Sequence, residues 1–276
     1  SYSVTGVQTC ALPISCGPSK GGAVEVSDLQ IQGVLFDWGG TLASVDRQRE
    51  SLTRGASQAL DALLGGAAAD LVDSLVSAAI DAELQASADP EHREVRLHAF
   101  IGGWAAEHGL GLSDDQVATA LDMIGQRWVG SALTPFAGAR ETLMTLRAMG
   151  LRTGLVSNCF IPPPHCHDEL RLEGLGELLD CAVFSSGVGF RKPSRRIYAE
   201  AVRLLTEAGG PETYSRILFV GDSPAYDVIM PAALGMHTAL VTCRRGLWAP
   251  EDYERARPDF RIDSVSELPM LLADLS

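Results

Sequence analysis

The sequence predicts an α/β protein: a doubly wound parallel-sheet core carrying a second, smaller all-helical domain. Three observations lead there. An apolar run over residues 29–36 delivers one carboxylate, Asp37, into the glycine-rich turn Trp38-Gly39-Gly40-Thr41. Helical periodicity then fills about ninety residues. From Thr134-Pro135 onward, helices alternate with short apolar strands, a pattern that implies right-handed crossovers and a parallel sheet covered on both faces.

Each element has its own signal. Residues 29–36 read as the first strand. Leu52, Leu60, Leu63 and Leu64 then mark one amphipathic face, stopped by Gly65-Gly66, and Leu71, Val72, Leu75, Val76, Ala79 and Ile80 repeat at helical spacing. Asp89-Pro90 reads as an N-cap with proline at the first helical position, opening a helix through Phe100, Ile101 and Trp104. Ser113 and Gln116 have capping-box spacing ahead of Val117, Leu121 and Ile124. These four helices form a compact insert, residues 44–133. Further strands are expected at 153–156, 182–184, 217–220 and 238–241, and a last one at 259–262 before a terminal helix. Residues 29–43 and 134–276 are thereby assigned to the core. Residues 1–28 read as a tail. Its first part resembles translated sequencing adapter, the alternative being a natural disordered segment, and residues 17–22 are glycine-rich.

A chain of 276 residues, 46% hydrophobic and 21% charged, has ample core for one large or two unequal domains. The net charge of −13 repels nucleic acid and anionic lipid, so any phosphate site must be a local cationic pocket. No apolar run approaches the roughly 20 residues of a membrane span, and the start lacks the basic-then-apolar layout of a signal peptide. A cytoplasmic protein with no nucleic-acid or membrane partner is expected, its oligomeric state open. Six cysteines, Cys10, Cys16, Cys159, Cys166, Cys181 and Cys243, show neither disulfide-framework nor zinc spacing. Reduced thiols are the default, with His165-Cys166-His167 the one conceivable soft-metal tract.

Ligands in such sheets bind outside the carboxyl ends of the strands. Asp37, Ser157 and Asp222 each end or closely follow an expected strand and should converge on one crevice, with the helical insert above it as a lid. A carboxylate there cannot remain unpaired, so Asp37, the candidate nucleophile, should lie beside a cation or several donors. Asp37, Asp222 and Asp227 form an oxygen-rich set without histidine or cysteine, which suits Mg²⁺. Ser157 and Thr41 offer hydroxyls to a phosphoryl group. Only two lysines occur, Lys20 and Lys192, and Lys192 sits in Gly189-Phe190-Arg191-Lys192-Pro193, placed to neutralise nucleophile and phosphoryl group together.

This set, in this order, resembles the haloacid dehalogenase superfamily of aspartyl phosphatases. The resemblance covers about residues 29–44 and 134–276, with the insert matching the helical cap of the dehalogenase-like branch on a Rossmann-like core. It implies Mg²⁺ held by Asp37, the Gly39 carbonyl, Asp222 and Asp227; phosphate binding by Thr41, Ser157, Asn158 and Lys192; and catalysis by Asp37 and Lys192 through an aspartyl-phosphate on a small phosphorylated metabolite. It also implies an aspartate two residues after the nucleophile, protonating the leaving group. Gly39 stands there, and such an acid commonly contributes about 10² to 10⁴ in rate. The departure leaves three readings: good leaving groups, a surrogate among His165, His167 and Asp46, or a near-inactive phosphate-binding or regulatory protein or phosphotransferase. The related dehalogenases carry tyrosine at this position and use no Mg²⁺; retention of Asp222 and Asp227 argues against their chemistry. Phosphonoacetaldehyde hydrolases need a cap lysine, and residues 44–134 contain none. The candidates for substrate recognition in the insert are Arg47, Arg54, His92, Arg93, Arg96, His98, Arg127 and Trp128, where arginine would clamp a second anionic group. Trp104 and Trp128 also fit helix-spaced core positions.

Overall fold

The computed structural model describes residues 30–66, 69–242, 248 and 250–274; the tail reading, with Cys10, Cys16 and Lys20, lies outside them, as does Cys243. In chain order the first half comprises β1 (Gly33–Phe36), β2 (Ala43–Ser44), α1 (Gln48–Leu64), α2 (Ala69–Ala88), α3 (Leu97–Glu107), α4 (Asp114–Trp128), β3 (Thr134–Pro135) and α5 (Ala139–Ala148). The second half comprises β4 (Arg152–Ser157), α6 (Pro163–Leu172), β5 (Cys181–Phe184), α7 (Ser185–Val188), α8 (Arg195–Glu207), β6 (Ile217–Gly221), a π-helical stretch (Pro224–Ile229), α9 (Met230–Leu234), β7 (His237–Val241), α10 (Pro250–Arg255), β8 (Phe260–Ile262) and α11 (Leu268–Ala273).

Six of the strands form one parallel sheet in the order β5-β4-β1-β6-β7-β8. β1 and β6 are buried along their whole length because helices cover both faces, which is why they read as unbroken apolar runs. The two-residue period sorts their side chains. Leu35, Ile217 and Phe219 join Ile197, Tyr198, Ala201 and Leu205 of α8 on one face, while Val34, Phe36, Leu218 and Val220 join Leu143 and Leu146 of α5 on the other. Phe36 lies opposite Leu155 on one side and Val220 on the other, so β6 runs one residue and β4 two residues past the end of β1.

The insert occupies the chain between β2 and β3, a two-stranded antiparallel ribbon. Its helices are α1 to α4, and two of the expected signals act as anticipated. Gly65 ends α1 in a left-handed conformation, and Ser113 with Gln116 forms the capping box of α4. Asp89-Pro90, however, does not open a helix. The Asp89 carboxylate accepts from the Glu91 and Arg93 N–H groups, closing a turn instead, and His92 takes a left-handed backbone (φ 55°) that stops helical propagation. The third helix starts at Leu97, because residues 92–94 lie as a strap against residues 189–191, bridged at Arg93 and Phe190. Glu94 N–H donates to Gly189 O (3.0 Å) and Arg191 N–H to His92 O (2.8 Å).

Under that strap lies a buried ionic network. Arg191 donates to Glu94 at 2.8 Å and to Glu83 of α2 at 3.3 Å, and the Ser185 hydroxyl donates to the second Glu94 oxygen. Both members of the Arg191–Glu94 pair are almost fully buried, so removing one leaves the other's charge uncompensated. Glu94→Ala should destabilise the protein by about 3–5 kcal/mol in urea unfolding; a change within ordinary surface values would show that the network does not hold the strap.

Candidate active site

The turn after β1 is shaped by its backbone. Asp37 N–H donates to Val220 O at 2.9 Å, extending the ladder by one residue and fixing the carboxylate at the sheet's end. The Trp38 carbonyl then accepts from Leu42 (2.9 Å) and Ala43 (3.0 Å), which folds the chain back sharply. Gly40 has φ +87°, and a Cβ there would come 2.5 Å from Asp222 Oδ2. The second glycine of the turn is therefore required twice, by its left-handed backbone and by the approach of Asp222.

Asp37, Asp222 and Asp227 offer carboxylate oxygens that lie within 4.8 Å of one another, and all three residues are buried. The ammonium of Lys192 stands among them, 2.6 Å from Asp37 Oδ1 and 2.8 Å from Asp227 Oδ1. Burial alone would strip that ammonium of its proton, but the charges of Asp227 and Asp37 outweigh it and raise the pKa. The second Asp227 oxygen accepts from Ser223 N–H at 2.9 Å, so both its oxygens are engaged. Lys192 is in turn aimed by Asn158, whose amide oxygen accepts from Lys192 N–H (2.7 Å) and whose amide nitrogen donates to Lys192 O (3.2 Å). Thr41 reaches Asp37 Oδ2 at 3.4 Å.

Three carboxylates against one ammonium leave an excess of negative charge. Burial, followed by the charges of Asp37 and Asp227, pushes the Asp222 carboxyl up to about 7, although Lys192 and the Trp248 indole N–H oppose the shift. That N–H faces Asp222 without full hydrogen-bond geometry. Burial likewise raises Asp227, against the pull of Lys192. A buried, hard-oxygen site short of positive charge fits a divalent cation such as Mg²⁺. Asp37 and Asp222, with the Gly39 carbonyl at the same crevice, are the residues placed to hold it, and Asp227 would act behind them.

The crevice has a volume of about 450 Å³. Its floor holds Asp37, Gly39, Ser157, Asn158, Lys192, Asp222 and Asp227, and the insert contributes Gln48, Glu83, Leu84, Ser87 and Trp128. Of the insert residues anticipated for substrate recognition, Trp128 alone lines it. Arg54 pairs with Glu50, Arg93 with Glu91, Arg127 with Gln58, and His98 faces the Asp114 carbonyl; Arg47, His92 and Arg96 also lie outside the lining. The three proposed surrogate acids are elsewhere as well. His165 packs on Gly125 and faces Asp122 (3.3 Å), His167 meets the Phe184 ring edge-on, and Asp46 accepts from Ser44 (2.6 Å). The His165-Cys166-His167 tract diverges in the same way, since the Cys166 thiol turns to Cys159, 3.6 Å away. Glu83, Arg191, Val45, Tyr226 and Trp248 were not singled out from the sequence, yet all line the crevice.

A family model for haloacid dehalogenase-like hydrolases matches residues 31–235. A pyrimidine 5′-nucleotidase of Escherichia coli is 33% identical over 141 residues, 50% of this chain and 57% of that protein. A glyceraldehyde 3-phosphate phosphatase of Methanothermobacter thermautotrophicus is 33% identical over 155 residues, 55% of this chain and 66% of that protein. The chain thus spans less than two thirds of the length of either relative. Among solved structures, a 2-haloacid dehalogenase from Pseudomonas syringae aligns with a TM-score of 0.63 at 21% identity, covering 89% of this chain and 100% of that one. A phosphatase of the same fold from Thermococcus onnurineus aligns with 0.57 at 20% identity, covering 88% and 98%.

Two outcomes test the cation site. The folded-state pKa of Asp222 lies above its unfolded value of 3.8, so the metal-free protein loses this group's contribution as pH rises from there to about 7. Mg²⁺ competes with that proton and should raise the melting temperature more at pH 8 than at pH 5. At a hundredfold excess over its Kd the gain is about 2.7 kcal/mol, and no shift at pH 8 contradicts the site. Gly40→Ala should weaken Mg²⁺ binding about 10- to 100-fold in the same titration by displacing Asp222; wild-type affinity would mean that Asp222 is not a ligand.

Proposed function

We propose that this chain, which belongs to the haloacid dehalogenase-like hydrolase family, is a Mg²⁺-dependent phosphatase that hydrolyses a small phosphorylated metabolite through a phosphorylated Asp37. The observation that carries the reading is the convergence of Asp37, Asp222 and Asp227 around the Lys192 ammonium at one end of the sheet. The matched nucleotidase and phosphatase act on small phosphorylated compounds, which supports the same class here. Residues 29–43 and 134–276 then form the core and residues 44–133 the cap. The charge of −13 turns the surface away from polyanions, and among the described residues no helix is long and apolar enough to cross a membrane.

In this mechanism an Asp37 oxygen attacks phosphorus and the bond to the leaving oxygen breaks in line with it. Lys192, locked between Asp37 and Asp227 and aimed by Asn158, keeps the carboxylate and the incoming phosphoryl group from repelling each other. Ser157, which lines the crevice, and Thr41, whose hydroxyl lies 3.4 Å from Asp37 Oδ2, would donate to phosphoryl oxygens. Water then displaces Asp37 from phosphorus. Mg²⁺, when bound, would neutralise charge on the transferring group. The cap residues Leu84 and Trp128 add apolar surface to the crevice lining.

A second reading, a binding protein or phosphotransferase with little turnover, is favoured by Gly39, which supplies no acid. Phosphate release in Mg²⁺ separates the two: steady turnover of an activated phosphate ester supports the phosphatase, and a stoichiometric burst that stalls supports the alternative. Asp37→Asn should lower phosphate release by roughly 10⁴-fold or more. Retained activity in that variant refutes the covalent route.

A further inference from the structure

With Asp222 committed to a cation and the Lys192 ammonium locked between Asp37 and Asp227, the described residues that line the crevice include no free proton donor of useful strength. Among the described residues no histidine lines it. Of its four carboxylates, Asp37 and Asp227 are bound to Lys192, Asp222 would be taken up by the cation beside Asp37, and Glu83 is paired with Arg191 at 3.3 Å. The uncharged hydroxyl and thiol donors are Ser87, Ser157, Ser223, Cys159 and Tyr226, all of weakly acidic types. Gly39, at the turn beside the nucleophile, has no side chain, and the space one would enter is filled: a Cβ there would lie 2.6 Å from Val45 Cγ1. Val45 is β-branched and stiff at χ1, so the wall at this point is apolar and closed.

A departing oxygen that is not protonated must leave as an anion. An alkoxide is a poor leaving group, and general acid catalysis there is commonly worth about 10² to 10⁴. We propose that the substrates are phosphates whose leaving group is itself a stable anion, namely acyl, enol or aryl phosphates, and that alkyl phosphomonoesters are processed poorly. This rests on the phosphatase reading above. In the first step the Asp37 oxygen–phosphorus bond forms, and the electron pair of the breaking bond stays on the carboxylate, enolate or phenolate oxygen with no proton supplied by the protein. In the second step water adds to phosphorus, both its protons remain on the released inorganic phosphate, and Asp37 returns as a carboxylate.

The test is kcat/KM of the wild-type protein with Mg²⁺ for acetyl phosphate, for aryl phosphates from dinitrophenyl to phenyl, and for an alkyl phosphate, because kcat/KM reads the step in which the leaving group departs. A fall of about 10² to 10⁴ from dinitrophenyl to alkyl phosphate is expected. The double variant Gly39→Asp/Val45→Ala, which creates room for an acid, should raise the alkyl-to-dinitrophenyl ratio. A flat wild-type profile overturns the inference, and a dependence that emerges only in Tyr226→Phe would name Tyr226 as the proton donor. If acetyl phosphate and dinitrophenyl phosphate both fail to release phosphate, and intact mass shows no phosphoryl group on Asp37, the phosphatase reading fails with it.

Discussion

The contact on which the rest depends is the ammonium of Lys192 between Asp37 and Asp227. A fully buried lysine and three buried carboxylates would each oppose folding alone. Together they are tolerable because every short contact is between opposite charges, and because the sheet has already brought the partners to one end. β1 and β6 are neighbours in register, so the residues after Phe36 and Gly221 emerge side by side. The third partner arrives from the loop before α8, where Asn158 clamps the Lys192 main chain to the end of β4. Three strand ends and one loop thus share one electrostatic problem, and the charge they leave uncompensated is what gives the site its appetite for a cation.

Arg191 and Lys192 divide two tasks between consecutive residues. The arginine faces the insert, reaching Glu94 and Glu83, while the lysine faces the nucleophile. With the two side chains directed to different partners, one short segment ties the insert to the core and balances the catalytic charges. A displacement of the strap at residues 92–94 would therefore be felt at Asp37 through a single peptide unit. Glu83 adds to this, since it lines the crevice while bonded to Arg191.

Much of this was legible in the order of residues. Buried parallel strands announce themselves as apolar runs, and Asp37, Ser157 and Asp222 stand where those runs stop. Lys192 stood out through the scarcity of lysine. What stayed hidden was set by tertiary contact. Asp89-Pro90 carries a sound local helix-start signal, but the pairing of residues 92–94 with 189–191 and the burial of Glu94 prevail over it. Glu83 and Arg191 read as ordinary charged positions, and nothing local says that they meet across the interface. The arginines of the insert were expected in the crevice because arginine suits anions, whereas most are satisfied by neighbours on their own surface. Trp248 follows β7 in a segment with no periodic pattern, so its position over Asp222 had no sequence signal.

The distribution of indole rings has an optical consequence. The chain has four tryptophans. Trp38, Trp128 and Trp248 border the crevice, one from the turn after the first strand, one from the last helix of the insert and one from the loop facing Asp222; Trp104 is buried in the insert beside His108. Ultraviolet emission from the unlabelled protein is therefore weighted toward the place where chemistry would occur. Occupancy of that place reads out as quenching or a spectral displacement against the constant signal of Trp104.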